Sequence, residues 1–140
     1  MEKRYRTTQN ITCLEGEMRQ VFTNLISNAL DATRAHGGRL IVATKELASR
    51  GIQITIADNG HGISPELKQR IFEPFYTTKG NLGTGLGLWV TREVIEKHKG
   101  SINVRSKPKC GTVFVLFIPF DGVTSATQRA SIQSASVPSR

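Results

Sequence analysis

Four polar residues recur at helical spacing in the segment EGEMRQVFTNLISNALDA: Gln20, Asn24, Asn28 and Asp31. On a helix they fall along one narrow strip, nearly opposite the apolar positions Met18, Val21, Phe22, Leu25, Ile26, Ala29 and Leu30. A solvated helix face normally carries Lys, Glu and Arg. Asparagine is a mediocre helix former, so two of them at mid-helix need a compensating gain. An amide oxygen is a neutral, hard ligand for magnesium, and an amide NH2 can donate to a phosphate oxygen. A polar face with asparagines placed by chance is the competing explanation, and the stripe alone does not separate the two.

Two glycine clusters follow. The first, Asp58-Asn59-Gly60-His61-Gly62, ends the apolar run Ile52–Ala57 on a carboxylate. Such a carboxylate can accept from an exocyclic amine, and side-chain-free backbone lets a flat ring approach. Asp-Asn-Gly is also a common surface turn. The second cluster is Gly83-Thr84-Gly85-Leu86-Gly87-Leu88, after the polar stretch Thr77-Thr78-Lys79-Gly80. Free backbone N–H groups at a glycine-rich helix start bind anions, and Lys79 and the threonines add charge and hydroxyl donors. The spacing is not that of a P-loop, because no Gly-Lys-Ser/Thr follows the spacer. A dinucleotide fingerprint would need a strand just before the glycines, where here a long loop is expected. That loop could close as a lid, with Phe72, Phe75 and Tyr76 packing it on the body.

The elements that must position these residues are legible from periodicity. Residues up to about Thr12 read as one or two short strands, Glu17 to about Arg34 as a long helix closed at His36-Gly37-Gly38. Arg39–Lys45 and Gly51–Ala57 read as strands joined by a turn near Ala48–Gly51. Ser64-Pro65-Glu66 opens a short helix. Leu88–Lys99 reads as a second long helix closed by Gly100, and Ser101–Arg105 and Thr112–Pro119 as two further strands. This order implies an α/β fold, a two-layer sandwich with helices on one face of a sheet. The strands near Ile41, Ile54, Val104 and Val115 are expected to pack on Val21, Leu25, Val94 and Ile95. Residues 1–120 form one domain in this reading. Residues 121–140, rich in Ser, Ala and Gln, read as a disordered polar tail.

Composition narrows the function classes. The 140 residues suffice for one domain with a core. The formal charge of +8 favours an anionic partner. The cations are scattered and aromatics make up only 6%, so a base-stacking nucleic-acid surface is not expected. Cys13 and Cys110 make no disulfide framework, and His36, His61 and His98 show no metal-ligand spacing. No segment approaches a membrane span or a secretory signal, so a cytoplasmic location is expected, with any membrane anchor in a longer parent protein.

Taken in order, Asn24-x-x-x-Asn28, Asp58-x-Gly60-x-Gly62, Phe72-x-Pro74-Phe75, Gly83-Thr84-Gly85-Leu86-Gly87-Leu88 and Gly111-Thr112 resemble the ATP-binding catalytic domain of bacterial sensor histidine kinases. That domain shares a superfamily, and a Bergerat-type mixed sheet, with DNA gyrase, heat-shock chaperones and mismatch-repair ATPases. The resemblance spans about Arg4 to Phe120. It implies that Asn28 ligates Mg2+ and that Asn24 contacts the phosphates or the metal's waters, with Asp31 bracing the site. It implies that Asp58 accepts from the adenine amine, with Gly60, Gly62 and Ile63 shaping that wall and Thr112 supporting it. Tyr76, Thr77, Thr78, Lys79 and the backbone of Gly83, Thr84, Gly85, Leu86, Gly87 and Leu88 would hold ATP under the lid. Asn24 and Lys79 would serve the transfer itself. His61 and His98 receive no role, His98 reading as structural.

Two departures shape the expectation. Hydrolysing members of the superfamily carry a water-activating glutamate four residues before the metal-binding asparagine, where this chain has Asn24. Without a carboxylate base, water attack should be slow, which favours a kinase. No amphipathic segment carries a phosphoacceptor histidine, so the phosphoryl group is expected to pass to a histidine on a separate dimerisation domain, and thence to a response regulator. The isolated domain is expected to be monomeric. The alternatives are an ATPase module of the gyrase and mismatch-repair type and a docking domain that no longer turns over.

Overall fold

The computed structural model describes residues 2–6 (as backbone), 14–34, 37–76 and 87–120. Five strands form one sheet: β1 (Glu2–Arg6), β2 (Leu40–Leu47), β3 (Gly51–Asp58), β4 (Ser101–Lys107) and β5 (Gly111–Pro119). Their spatial order is β1-β2-β3-β5-β4. β1 runs parallel to β2, and every other pairing is antiparallel, so the sheet is mixed. Among the described residues, three helices, α1 (Glu15–Thr33), α2 (Pro65–Lys68) and α3 (Gly87–Lys97), complete the two-layer sandwich.

α1 forms because Met18, Val21, Leu25 and Ala29 recur at helical spacing and are all buried. Glu15 and Glu17 sit in its first turn, where the helix dipole favours acids. Its first residues have no side-chain cap of their own. Instead the Leu14 N–H donates to Nε2 of His98 at 3.0 Å, while the opposite ring nitrogen lies 2.8 Å from the Val94 carbonyl. The first contact makes Nε2 an acceptor, so the proton is on Nδ1 and the fully buried ring is neutral, a structural histidine. Lys97 Nζ adds an ion pair at 2.9 Å to Glu17.

The core joins α1 and α3 to one sheet face through Val21, Leu25, Val94, Ile95, Ile54, Ile56, Phe114, Leu116 and Ile118. Register corrects part of the expected packing. Ile54 pairs with Leu116, and Val42 with Ile56. The inward residues of β2 and β5 are therefore Leu40 and Val42, and Phe114, Leu116 and Ile118. Ile41 and Val115, expected inward, belong to the opposite parity and stay outside the core, because one step along a strand reverses the side chain.

The β2–β3 turn falls where expected, while the end of α3 uses a different residue for its left-handed step. The β2–β3 hairpin turns through Ala48 and Ser49, both at positive φ, closed by the Arg50 N–H donating to the Leu47 carbonyl at 2.8 Å. α3 ends in a Schellman arrangement whose left-handed residue is Lys99, with Gly100 N–H reaching the Ile95 carbonyl at 2.9 Å. Gly100 is needed for a different reason: a Cβ there would lie 2.1 Å from the Phe117 carbonyl oxygen. α2 starts as expected, with Ser64 Oγ accepting from the Leu67 N–H and Pro65 in the first turn. Phe72 and Tyr76 pack on the core, whereas Phe75, expected beside them, is 75% exposed at positive φ. No described helix is long and apolar enough to cross a membrane.

Candidate functional site

The carboxylate of Asp58 stands at the last position of β3, opposite Thr112 in register. It is half-buried, and burial pushes its carboxyl above the ordinary value of 3.8. Backbone N–H bonds from Gly60 and Thr112, and the nearby His61, pull in the other direction. The Gly60 N–H donates to Oδ1 at 2.9 Å. The turn after Asp58 is fixed on both sides. Asn59 Oδ1 accepts from the Arg39 N–H at 2.6 Å, and the His61 N–H donates to the Ala32 carbonyl near the end of α1 at 3.3 Å. A Cβ on Gly60 would stand 2.4 Å from that same Ala32 oxygen. Gly60 thus lets the strand end press directly on the helix backbone.

Gly62 serves a second close approach. It has φ +72°, and a Cβ would lie 2.1 Å from the Lys107 carbonyl oxygen. Across the same gap the Lys109 N–H donates to the His61 carbonyl at 2.7 Å. Ser106 completes the wall. Its Oγ accepts from the Ile63 N–H at 2.7 Å, lies 2.8 Å from the Gly111 carbonyl and 2.9 Å from Thr112 Oγ1. Ser106 was not singled out by sequence. Its only signal was a serine at the strand end on the inward parity of Ile102 and Val104, where an apolar residue would be the ordinary choice.

On the opposite side, the polar stripe of α1 divides. Gln20 is exposed and joins nothing at the site. Asn24, Asn28 and Asp31 are half-buried, on the shoulder of α1 rather than opposite its apolar face. Asn24 Nδ2 donates to the Gly87 carbonyl at 3.1 Å and reaches Thr91 Oγ1 at 3.4 Å, both in the first turn and a half of α3. The amide expected to meet phosphate is therefore tied to α3 through its nitrogen. Asn28 follows one turn later, and Asp31 pairs with Arg34 at 3.2 Å. Thr91, also missed from sequence, is fully buried and bonds the Gly87 carbonyl at 2.8 Å.

The structure thus brings Asp58, Gly60, Gly62, Ile63 and Thr112 together, and joins their turn to α1 at Ala32. Gly87 and Leu88 open α3, and Leu88 and Tyr76 pack against the core. The guanidinium of Arg70 lies 4.5 Å from the centre of the Tyr76 ring. Thr77, Thr78, Lys79, Gly83, Thr84, Gly85 and Leu86 lie outside the described residues, as does the proposed tail 121–140. Among the described residues no cluster of three His, Cys, Asp or Glu side chains could hold a metal by itself.

A family model described as histidine kinase-, DNA gyrase B- and HSP90-like ATPase matches residues 14–122, the span containing this whole arrangement. The chain belongs to that family. Within it, the sequence is similar to histidine kinases. It is 40% identical to sporulation kinase E of Bacillus subtilis over 109 residues, covering 78% of this chain and 14% of the relative. It is 39% identical to sensor histidine kinase ZraS of Salmonella typhi over 113 residues, covering 81% and 24%. The chain spans less than a quarter of the length of these relatives. Among solved structures, the catalytic domain of histidine kinase ThkA superposes with a TM-score of 0.72 at 30% identity, covering 86% of this chain and 80% of that one. The mycobacterial sensor histidine kinase MprB gives 0.73 at 26% identity, covering 84% and 80%. The fold is that of a histidine kinase catalytic domain.

Proposed function

We propose that this domain binds Mg-ATP and donates the γ-phosphoryl group to a histidine on a separate dimerisation and phosphoacceptor domain, as a two-component signalling kinase. The observation that carries the reading is the half-buried Asp58 carboxylate, set between glycine-lined approaches and joined through Gly60 and His61 to the helix bearing Asn24 and Asn28. A desolvated acceptor beside bare backbone suits the exocyclic amine of adenine. Gly60 and Gly62 keep that wall thin, and the Ser106–Thr112 contact holds its outer strand in place.

The donor set suits magnesium held chiefly by phosphates and water. Mg2+ commonly takes one or two protein oxygens and leaves its other positions to substrate and solvent. The Asn28 amide oxygen would be the protein ligand, with Asp31 beside it. Lys79, Thr77, Thr78 and the backbone of residues 83–88 would neutralise and orient the triphosphate. Bound magnesium would supply neutralisation of the triphosphate's negative charge. The chain's own residues orient the nucleotide and withhold a water-activating base, since Asn24 cannot accept a proton as a glutamate would. Transfer to an imidazole nitrogen is then favoured over hydrolysis. We place the domain in the cytoplasm, where ATP is available, as a monomer whose dimeric partner domain serves a response regulator.

Incubating the domain with Mg-ATP and a separately supplied phosphoacceptor domain tests this. Phosphohistidine is the expected product. Released phosphate without phosphohistidine would favour a gyrase-type ATPase instead, and neither product would favour a docking role.

A further inference from the structure

We propose that the open face of the sheet, centred on β5, docks an acidic segment of another polypeptide that carries a bulky apolar side chain. The strand Val113-Phe114-Val115-Leu116-Phe117-Ile118 is apolar at both parities. Phe114, Leu116 and Ile118 enter the core, which leaves Val113, Val115 and Phe117 half-buried on the other face. An antiparallel sheet with one wet face ordinarily alternates apolar with polar, and a strand apolar on both sides is the pattern of one covered on both. α1 and α3 lie on the core side and leave that face open. The face is also shaped. Register lines up Gln53, Phe117 and Ser101 in one row, with Val115 and Asn103 side by side in the next. Together with Arg50 they line a depression of about 330 Å³, apolar at its centre and polar around it. That is the anatomy of a protein interface, with room for one large side chain.

Charge selects the partner. The face carries exposed Lys45, Arg105 and Lys107, with Arg50 at the β2–β3 turn. The two carboxylates in β2–β5, Glu46 and Asp58, have the opposite parity. By register β1 adds one acidic and two basic positions to this parity, Glu2, Arg4 and Arg6. None of the four cations of β2–β5 and their turn has an ion pair among the described residues. Elsewhere Arg19, Arg34, Arg70, Arg92 and Lys97 each meet a carboxylate at 2.8–3.2 Å. Uncompensated cations around an apolar centre favour an acidic partner. A second copy of the chain, at formal charge +8, would be repelled. The chain's own residues 121–140 set Asp121 against Arg129 and Arg140, so they do not supply the missing acids. Nucleic acid would satisfy the cations, but the depression offers one aromatic ring and no stacking platform. A planar anionic membrane would touch the rim and miss the floor.

The test needs no nucleotide and is independent of the kinase reading. A short synthetic peptide, a central leucine flanked by glutamates, is titrated into the isotope-labelled full chain and followed by NMR. The backbone amides of Gln53, Asn103, Val115 and Phe117 should shift, and those of Asn24 and Asn28 should not. Glycine in place of the peptide's leucine should weaken binding about fivefold, through the emptied depression. Lys45→Glu combined with Arg105→Glu should weaken it about tenfold with the thermal midpoint kept. The comparison of the two peptides uses the unaltered chain, so it decides the matter even where the charge reversal unfolds. Shifts away from this face, equal binding of the two peptides, or undiminished binding by a folded charge-reversed chain would overturn the proposal. So would duplex DNA or phosphatidylserine vesicles moving the same amides more strongly than the peptide does. Contacts between residues 121–140 and Val115 or Phe117 in the free chain, or shifts of these amides with protein concentration alone, would give the face to the chain's own end or to a second copy and overturn it equally.

Discussion

The two walls of the candidate site are built by different means. The wall around Asp58 is made of backbone against backbone: Gly60 on the Ala32 carbonyl, Gly62 on the Lys107 carbonyl, and the Gly111 position with its would-be Cβ 2.0 Å from the Asp58 carbonyl oxygen. The wall formed by α1 and the start of α3 is made of side-chain amide and hydroxyl bonds, with room for an ordinary contact at Gly87, where an added Cβ would stand 3.7 Å from the Asn24 side chain. A backbone wall tolerates no added atom but needs few particular side chains. A side-chain wall tolerates atoms but depends on which groups donate.

That contrast predicts a ranking. Gly62→Ala should be the most damaging, costing about 3 kcal/mol or more of stability, because strain at positive φ adds to a clash with backbone that has nowhere to move. Urea unfolding measures it, and a loss under 1 kcal/mol would mean that the β4–β5 hairpin yields easily. Asp58→Asn should leave the fold intact but weaken nucleotide binding by about 2 kcal/mol, roughly thirty-fold, by presenting a donor where an acceptor is needed. Calorimetric titration with a non-hydrolysable ATP analogue checks it.

The pH dependence of the same titration sharpens the assignment. Burial favours the protonated form of Asp58 in the fold, so ionising it lowers fold stability as pH rises from the ordinary carboxylate value through its raised one. Adenine recognition needs the ionised acceptor, so affinity should fall as pH drops through that raised value, and this fall should be absent in Asp58→Asn. Ser106→Ala should cost about 1 kcal/mol, through the Ile63 N–H left without its acceptor, and should be visible as a lower thermal midpoint. Gln20→Ala should change nucleotide affinity and stability by less than about 0.5 kcal/mol, since Gln20 is exposed. A large effect there would erase the distinction between the stripe's inner and outer members.

Most of the architecture was legible because it is encoded locally. The periods of α1 and of the four antiparallel strands, the Ser64-Pro65 start of α2, and the burial of His98 near a helix end are all written in adjacent residues. The parity of Ile41 and Val115 was not, because which face of a strand meets the helices is settled by pairing with distant strands. At the site, sequence named Asp58 and the glycines, but not why glycine is required. The clashing atoms, on Ala32 and Lys107, lie at least 28 residues away. Ser106 and Thr91 were invisible for the same reason: a serine or threonine gains meaning only from the group its hydroxyl meets.

The imidazole that caps the beginning of α1 has a consequence for motion. α3 is fastened to α1 at both extremities, through Asn24 to Gly87 at one end and through His98 to Leu14 at the other. Sliding one helix past the other by a turn, about 5.4 Å, would break both fastenings at once. The two fastenings, one near each end of α3, thus oppose such a shift together.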